Sequence, residues 1–170
     1  LAWTVAPGRR GDAWVGTDVG LSHYVDGHFE FISSRIGLDN VRVRTVLEDS
    51  TGAVWFGTQG RGAYRYRNGD LKEYSKSKGL SGNVVKAIIE DSQGRIIIGT
   101  DKSVDILENG ELVATPEPIV ALGAITSSVV HEDAQHRLWI ASDAHGLHVF
   151  EKGALRTYTL ADGLPANRVL

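Results

Sequence analysis

The chain has 170 residues, a net charge of −3 at pH 7 and a sequence pI of about 6.1. This balance lacks the basic excess of proteins that bind nucleic acid or anionic membrane surfaces, so we expect neither as a partner. No apolar run approaches the roughly 20 residues of a membrane-spanning helix, so any membrane contact is expected in segments outside this chain. Cysteine is absent, which excludes disulfides, thiol catalysis and cysteine-based metal sites.

The first segment, residues 1–36, alternates short apolar runs with turn residues. Its turn at Pro7–Gly11 contains proline and glycine, which are typical of chain reversals. The apolar runs on either side of this and the following turns indicate β-strands. Four strands are predicted, at Leu1–Val5, Ala13–Thr17, Leu21–Val25 and His28–Ile32.

The second segment, residues 37–78, contains the clearest turn. The tetrad Asp49–Gly52 reverses the chain, because Asp accepts a hydrogen bond from a backbone N–H two residues on and Gly adopts the positive φ that closes the turn. An aromatic-bearing strand at Ala53–Phe56 follows, then a loop at Gln59–Gly62. The segment is predicted to end on a fourth strand at Leu71–Tyr74.

The third and fourth segments, residues 79–119 and 120–162, repeat this pattern with local departures. An aliphatic run, Ile96–Ile98, replaces the aromatic strand of the third segment. The tail Thr115–Pro118 is a poor strand because proline cannot donate to a hydrogen-bond ladder. Residues 163–170 begin a fifth copy and stop.

The repeat keeps its register along the chain. The turn Asp recurs every 42 residues, and the large side chain of the second strand recurs after 41, 42 and 42 residues, as Trp14, Trp55, Ile97 and Trp139. Four short strands in about 42 residues are typical of one blade of a β-propeller, whereas two glycine-bearing turns per copy would break the helices of helical repeats. We therefore predict an all-β fold, a β-propeller region with four blades of about four antiparallel strands each. The blades are expected at about 1–36, 37–78, 79–119 and 120–162, with 163–170 starting a further blade.

The motif that repeats resembles a known family. The residues that carry the resemblance are Gly79-Leu80 with Asn83, Glu90-Asp91-Ser92 with Gly99-Thr100, and Asp49 with Trp55 and Gly57-Thr58. Together they resemble the two-component regulator propeller repeat. The resemblance implies part of a larger propeller of about seven blades, with a closed ring of four as the alternative. It also implies a periplasmic or otherwise extracytoplasmic sensor region of bacterial hybrid histidine kinases and related signalling receptors.

The same resemblance implies a function for the region. It would be a ligand-sensing propeller without catalytic activity or a cofactor, with any kinase or cyclase outside the chain. The expected partners are a small-molecule or oligosaccharide ligand, the remaining blades or a second propeller, and a second copy in a homodimer of the full receptor. Two alternatives stay open: a protein-binding scaffold, and a propeller lyase with a His/Glu base and a divalent ion over the channel. Because the chain lacks methionine even at position 1, we expect it to be a piece of a longer protein.

The candidate ligand site lies in loops that do not repeat in sequence. Loops that join the second and third strands, and loops that join successive blades, meet on one face of a propeller, over its channel. Arg42 and Arg44 lie two residues apart, hence on one side of a strand, with Lys86 in register with Arg44. Either they bind an anionic sugar or carboxylate, or they form structural ion pairs to a neighbouring blade. The predicted ligand-binding residues are Arg42, Arg44, Gln59, Arg61, Lys102, Asp143 and His145; the alternative is that these are ordinary solvated loop tips.

Other polar residues of the repeat are expected to be structural. Each turn Asp should cap its own turn. No metal site is expected at His131–Asp133 or among Asp143, His145 and His148, because neighbouring residues of a strand point to opposite faces.

Overall fold

The computed structural model of the chain describes residues 1–122 and 127–169. Sixteen strands in these residues form four antiparallel sheets of four strands, each sheet in simple chain order. The first sheet contains β1 (Ala2–Pro7), β2 (Ala13–Thr17), β3 (Leu21–Val25) and β4 (His28–Phe31). The second contains β5 (Val43–Glu48), β6 (Val54–Thr58), β7 (Ala63–Arg67) and β8 (Asp70–Tyr74).

The third and fourth sheets have the same organisation. The third contains β9 (Val85–Glu90), β10 (Ile96–Thr100), β11 (Val104–Glu108) and β12 (Glu111–Val113). The fourth contains β13 (Ser127–Glu132), β14 (Leu138–Ser142), β15 (Leu147–Glu151) and β16 (Ala154–Tyr158). The predicted all-β architecture with four four-stranded blades is therefore confirmed. Residues 123–126, at the start of the predicted fourth blade, and residue 170, the last of the predicted fifth-blade start, lie outside the described part of the chain.

Two short helices follow the last strands of the first and third blades. The first stands where the fourth strand was expected to end, and the second follows the tail that was expected to be a poor strand. The first blade ends one residue earlier than predicted, and Ile32–Arg35 forms a single helical turn, α1. Ser33 of this turn is buried, and its hydroxyl accepts a hydrogen bond from the backbone N–H of Leu21 at 2.8 Å, which attaches α1 to β3. In the third blade, the proline-bearing tail leads into α2 (Glu117–Val120), whose Ile119 is fully buried.

The core of the molecule lies between blades. In each case the first strand of one blade packs on the first and second strands of the preceding blade, from blade one through blade four. The second strands of blades two and three are buried on both faces, which explains their continuous apolar sequences. Close approach requires glycine at Gly57, because a Cβ there would lie 2.4 Å from the Val85 side chain of the next blade.

The two ends of this row of blades expose the faces that are buried elsewhere. Val5 of the first blade is 67% exposed, whereas its counterparts in the other three blades (Val46, Ile88 and Val130) are 3–8% exposed. At the opposite end, a cavity of about 260 Å³ is lined by Trp139, Leu147, Tyr158 and Leu164. Their counterparts in the second blade (Trp55, Ala63, Tyr74 and Leu80) are buried against the third. The blades therefore form an open fan.

Candidate ligand site at the channel mouth

The innermost strands of all four blades share an irregularity at one position. The pairing of β1 with β2 skips Trp3, that of β5 with β6 skips Arg44, that of β9 with β10 skips Lys86, and that of β13 with β14 skips residue 128. Each skipped residue is the extra residue of a β-bulge. Such bulges redirect a side chain and are common beside binding sites. We call this end of the inner strands the channel mouth, where the first strand of each blade begins and the second ends.

The side chains at the first part of the channel mouth form a connected group. Asp18, which follows β2, accepts a hydrogen bond from the Trp3 indole at 2.9 Å. Its carboxylate also pairs with Nε of Arg42, from the next blade, at 2.8 Å. The guanidinium groups of Arg42 and Arg44 lie over the Trp3 ring, 5.4 and 5.6 Å from its centroid. Arg42 therefore makes the inter-blade ion pair that was one of its two predicted roles.

Arg44 carries a charge without a carboxylate partner among the described residues. Its guanidinium donates to the side-chain oxygen of Gln59, the residue that occupies in blade two the place of Asp18 in blade one. Because Gln59 is neutral, the charge of Arg44 is not compensated there. Arg61 lies in the same loop, exposed, and its backbone N–H donates to the Thr58 hydroxyl at 3.0 Å. Arg44 and Gln59 are thus in contact, and Arg61 follows Gln59 in the same loop.

A second group forms where blades three and four meet. Asp143 occupies in blade four the place of Asp18, and its carboxylate contacts Nε of Arg168 at 2.9 Å and Nζ of Lys86 at 3.9 Å. The Asp143–Arg168 pair therefore repeats the Asp18–Arg42 pair between the fourth blade and the residues that follow it. Lys102 is exposed and contacts Asp101 of its own loop at 3.5 Å.

His145 lies at the tip of the fourth-blade loop and is exposed. Its backbone N–H donates to the Ser142 hydroxyl at 2.7 Å, as Arg61 does to Thr58 in the second blade. The ring thus projects from a loop whose backbone is held as in the other blades. Whether any of the seven predicted residues binds a ligand stays a prediction.

The turn acids are engaged within their own turns. The Asp49 carboxylate accepts from the Thr51 hydroxyl, the Ala53 backbone N–H and the Trp55 indole, at 2.7 to 2.9 Å. Burial raises the pKa of the Asp133 carboxyl, but hydrogen bonds from the Trp139 indole and from Arg137 outweigh this, so its pKa lies well below the ordinary value. These groups are structural, as the repeat predicts.

A recurring role of glutamate was missed in the sequence. The Glu90 carboxylate of blade three accepts from the backbone N–H and hydroxyl of Ser50 in blade two, at 2.7 and 2.5 Å. Glu132 of blade four does the same to Ser92 of blade three, at 2.6 and 2.9 Å. We call these two contacts the inter-blade clamps. The recurrence of Glu-Asp-Ser is the signal, although it does not reveal that Glu and Ser bond across blades.

Glu132 and His148, which could otherwise serve as metal ligands or as a base, are engaged in structural contacts. Glu132 is used by an inter-blade clamp, and His148 is buried with its Nδ1 2.9 Å from the Thr157 hydroxyl. Within the described residues, no group of three or more His, Asp or Glu side chains is placed to hold a metal ion. Likewise, no helix in the described part of the chain is long and apolar enough to cross a membrane.

Comparison with known proteins agrees with this geometry. Residues 37–60 and 79–102 match the two component regulator propeller family. No curated protein sequence matches the chain. The fold is that of a β-propeller, and the two stretches that match the two component regulator propeller family lie in its second and third blades.

Solved structures share the fold at low sequence identity. The extracellular domain of a hybrid two component system from B. thetaiotaomicron superposes with a TM-score of 0.80 at 18% identity, over 98% of this chain and 23% of that one. The extracellular domain of a second such system from that organism gives 0.65 at 21%, over 99% and 31%. Virginiamycin B lyase from Staphylococcus aureus gives 0.70 at 16%, over 92% and 55%. The chain thus spans less than a third of each of the first two domains, and the likeness establishes the fold alone.

Proposed function

We propose that this chain is part of the extracytoplasmic, ligand-sensing β-propeller of a bacterial two-component signalling receptor, and that it has no catalytic activity of its own. The ligand site is the channel mouth. The bulge carries the proposal, because the same backbone feature recurs at Trp3, Arg44 and Lys86 while the side chain differs each time. A position that keeps its backbone geometry and varies in chemistry suits recognition, whereas the turn Asp, a structural position, keeps its residue type in blades two to four.

The charges at the channel mouth favour an anionic ligand. Arg44 and Arg61 lack a carboxylate partner among the described residues, and Trp3, which lies beside Arg44, is 43% exposed. Guanidinium groups bind carboxylates in a bidentate manner, and an exposed indole offers a flat surface to a sugar ring. An acidic saccharide or another carboxylate with an apolar face is the ligand class that fits both.

Further blades are proposed to cover the two ends of the fan. This proposal is supported by the other blades of the fan, in which the residues equivalent to Val5 and Trp139 are buried by the adjacent blade. A second propeller and a homodimer of the whole receptor are further expected partners. The extracytoplasmic location rests on the likeness to extracellular domains of B. thetaiotaomicron.

A lyase is the second candidate, favoured by the fold it shares with virginiamycin B lyase. It requires a His/Glu base and a divalent ion over the channel. The observation against it is that Glu132 and His148 are engaged elsewhere. Chelator-sensitive turnover of a lactone or ester substrate would support the lyase and contradict the proposal.

The test is a thermal-shift screen of the whole protein that carries this chain. Acidic saccharides, their neutral counterparts and small organic acids are compared at equal concentrations. We expect stabilisation by acidic members and none by neutral ones, because a ligand that binds only the folded state raises its stability. A flat response across the collection would contradict ligand sensing.

A further inference from the structure

A large cavity of the described residues is a groove on the opposite face from the channel mouth, between blades one and two. It has a volume of about 600 Å³, which suits a small ligand. Its walls come from the β1–β2 turn, the β5–β6 turn and the β7–β8 turn. We call it the turn-face groove, and its polar lining includes Arg9, Arg10, Asp12, His23, Glu48 and Arg67.

The arginines of this groove are unusual in lacking counter-charges. The guanidinium groups of Arg10 and Arg67 have neither a carboxylate nor an aromatic partner among the described residues. The Arg9 guanidinium donates only to the backbone oxygen of Asp49, at 3.3 Å. Most other arginines form ion pairs or lie over rings, as Arg95 does with Asp91 and Arg156 with Tyr158. Three uncompensated guanidinium groups around one cavity favour a ligand that supplies the negative charge.

The two carboxylates of the groove are already engaged. Asp12 lies 2.5 Å from His23 Nε2 and also accepts the backbone N–H of Arg10 at 3.1 Å. Glu48 accepts the Trp14 indole at 2.9 Å and the Arg9 backbone N–H at 3.4 Å. Both therefore hold the wall of the groove, and they leave the guanidinium groups without ion pairs.

A departure of the first blade from the repeat builds this wall. Gly8 stands where blades two to four have the turn Asp, and a Cβ at Gly8 would lie 2.0 Å from the Asp12 carboxylate, which occupies that space. The Trp14 indole consequently bonds across to Glu48 instead of to its own turn. His23 stacks on Trp14 with centroids 3.9 Å apart, so that the paired rings form an ordered surface.

The three arginines also do not repeat. The equivalents of Arg9 are Ser50, Ser92 and Ala134, those of Arg10 are Thr51, Gln93 and Gln135, and those of Arg67 are Val25, Glu108 and Glu151. The blade structure thus does not require arginine at these positions. The half-buried Tyr66 adds a hydroxyl without a partner among the described residues.

We propose that the turn-face groove is a second binding site, for a ligand that bears several anionic oxygens. Arg9, Arg10 and Arg67 would hold its oxygens, with the Trp14–His23 pair beside it. Phosphate esters, sulfate esters and polycarboxylates share this chemistry, and the probes are chosen to separate them. The proposal does not depend on the channel mouth.

The test uses the whole protein labelled with 5-fluorotryptophan, titrated separately with inorganic pyrophosphate, sulfate and citrate and followed by ¹⁹F NMR. The Trp14 signal, assigned by W14F, reports on the groove, and the Trp3 signal reports on the channel mouth. We expect a saturable shift of the Trp14 signal, and the probe with the lowest Kd identifies the ligand class. No saturable shift with any probe would overturn the proposal.

Matched variants separate the two sites. R10A/R67A and R44A/R61A change the net charge equally, and neither pair removes a carboxylate contact of the described residues. We expect R10A/R67A to weaken the Trp14 titration at least about tenfold, and R44A/R61A to leave it unchanged. Equal weakening by both pairs would mean non-specific charge attraction and would overturn the proposal. Circular dichroism of each variant checks that the blades remain folded.

Discussion

At the scale of single residues, the turn Asp combines several hydrogen bonds in one carboxylate. Asp49 is buried and accepts from two backbone N–H groups, a hydroxyl and an indole. Burial alone raises the pKa of Asp49, but these hydrogen bonds lower it by a larger amount. The pKa of Asp49 therefore lies below its ordinary value of 3.8. The stability that Asp49 contributes is therefore present above pH 3.8 and is lost as the pH falls through the lower pKa of the folded state.

D49A should lower the free energy of unfolding by about 2–4 kcal/mol, because it leaves the Trp55 indole and the Ala53 N–H buried without partners. Urea unfolding at pH 7 measures this loss. The control is D70A, in the exposed part of β8, which should change the stability by less than about 0.5 kcal/mol. Equal effects of the two substitutions would contradict a structural role for the turn Asp.

His148 is a second residue with a definite pH consequence. It is 1% exposed, and its Nε2 has no hydrogen-bond partner among the residues that the structure describes. Burial, followed by the charge of His145, lowers its pKa below the ordinary 6.5. Between pH 6.5 and that lower value the unfolded chain binds a proton that the folded chain does not, so the folded state loses stability as the pH falls through this window.

H148L should flatten the dependence of stability on pH between about 6.5 and the lower folded-state pKa. Urea midpoints measured at half-unit pH intervals test this expectation. H136N is the control, because His136 is exposed and has a positive φ that Asn tolerates. An H148L variant whose stability still falls as steeply as that of the original chain would contradict the assignment.

At the scale of elements, the two inter-blade clamps connect β9 and β13 to the β5–β6 and β9–β10 turns of the preceding blades. Their Glu carboxylates bond to a backbone N–H and a hydroxyl at once, and thereby align the blades. E90A should lower the free energy of unfolding by about 1–2 kcal/mol. E111A is a matched control, since Glu111 also contacts the adjacent blade, at Lys72, but is 78% exposed; its loss should stay below about 1 kcal/mol. Chemical denaturation that finds E111A the more damaging would contradict the clamp.

The repeat period predicts the elements well and the sites poorly. The recurrence of Asp49 and Trp55 identifies blades, because these residues act within one blade and so appear as a local pattern. The Asp18–Arg42 pair, the clamp of Glu90 on Ser50 and the Trp14–Glu48 hydrogen bond depend on which blade faces which. Such contacts require the packing of two blades, which no single copy of the repeat reveals.

At the scale of the whole molecule, we expect another blade to cover the face of β1 that is exposed at the end of the open fan. V5D should change the stability of the 170-residue chain by less than about 0.5 kcal/mol, because Val5 is exposed there. In the whole protein the same change should cost more than about 3 kcal/mol, because it would bury a charge between blades. V46D, at the equivalent buried position, should be destabilising in both. Thermal denaturation of the four variants tests this, and a neutral V5D in the whole protein would contradict the missing neighbour.

The ligand site at the channel mouth is the central claim, and one titration tests it most directly. Isothermal titration calorimetry would measure the affinity of the whole protein for an acidic saccharide that stabilises it. The same titration would then be made with the R44A and R156A variants. Both variants lose one positive charge, but Arg156 lies on β16, over Tyr158. We predict at least tenfold weaker binding for R44A, roughly the loss of one charged hydrogen bond, and unchanged binding for R156A. Unchanged binding in R44A, or equal weakening in both variants, would contradict a ligand site at the channel mouth.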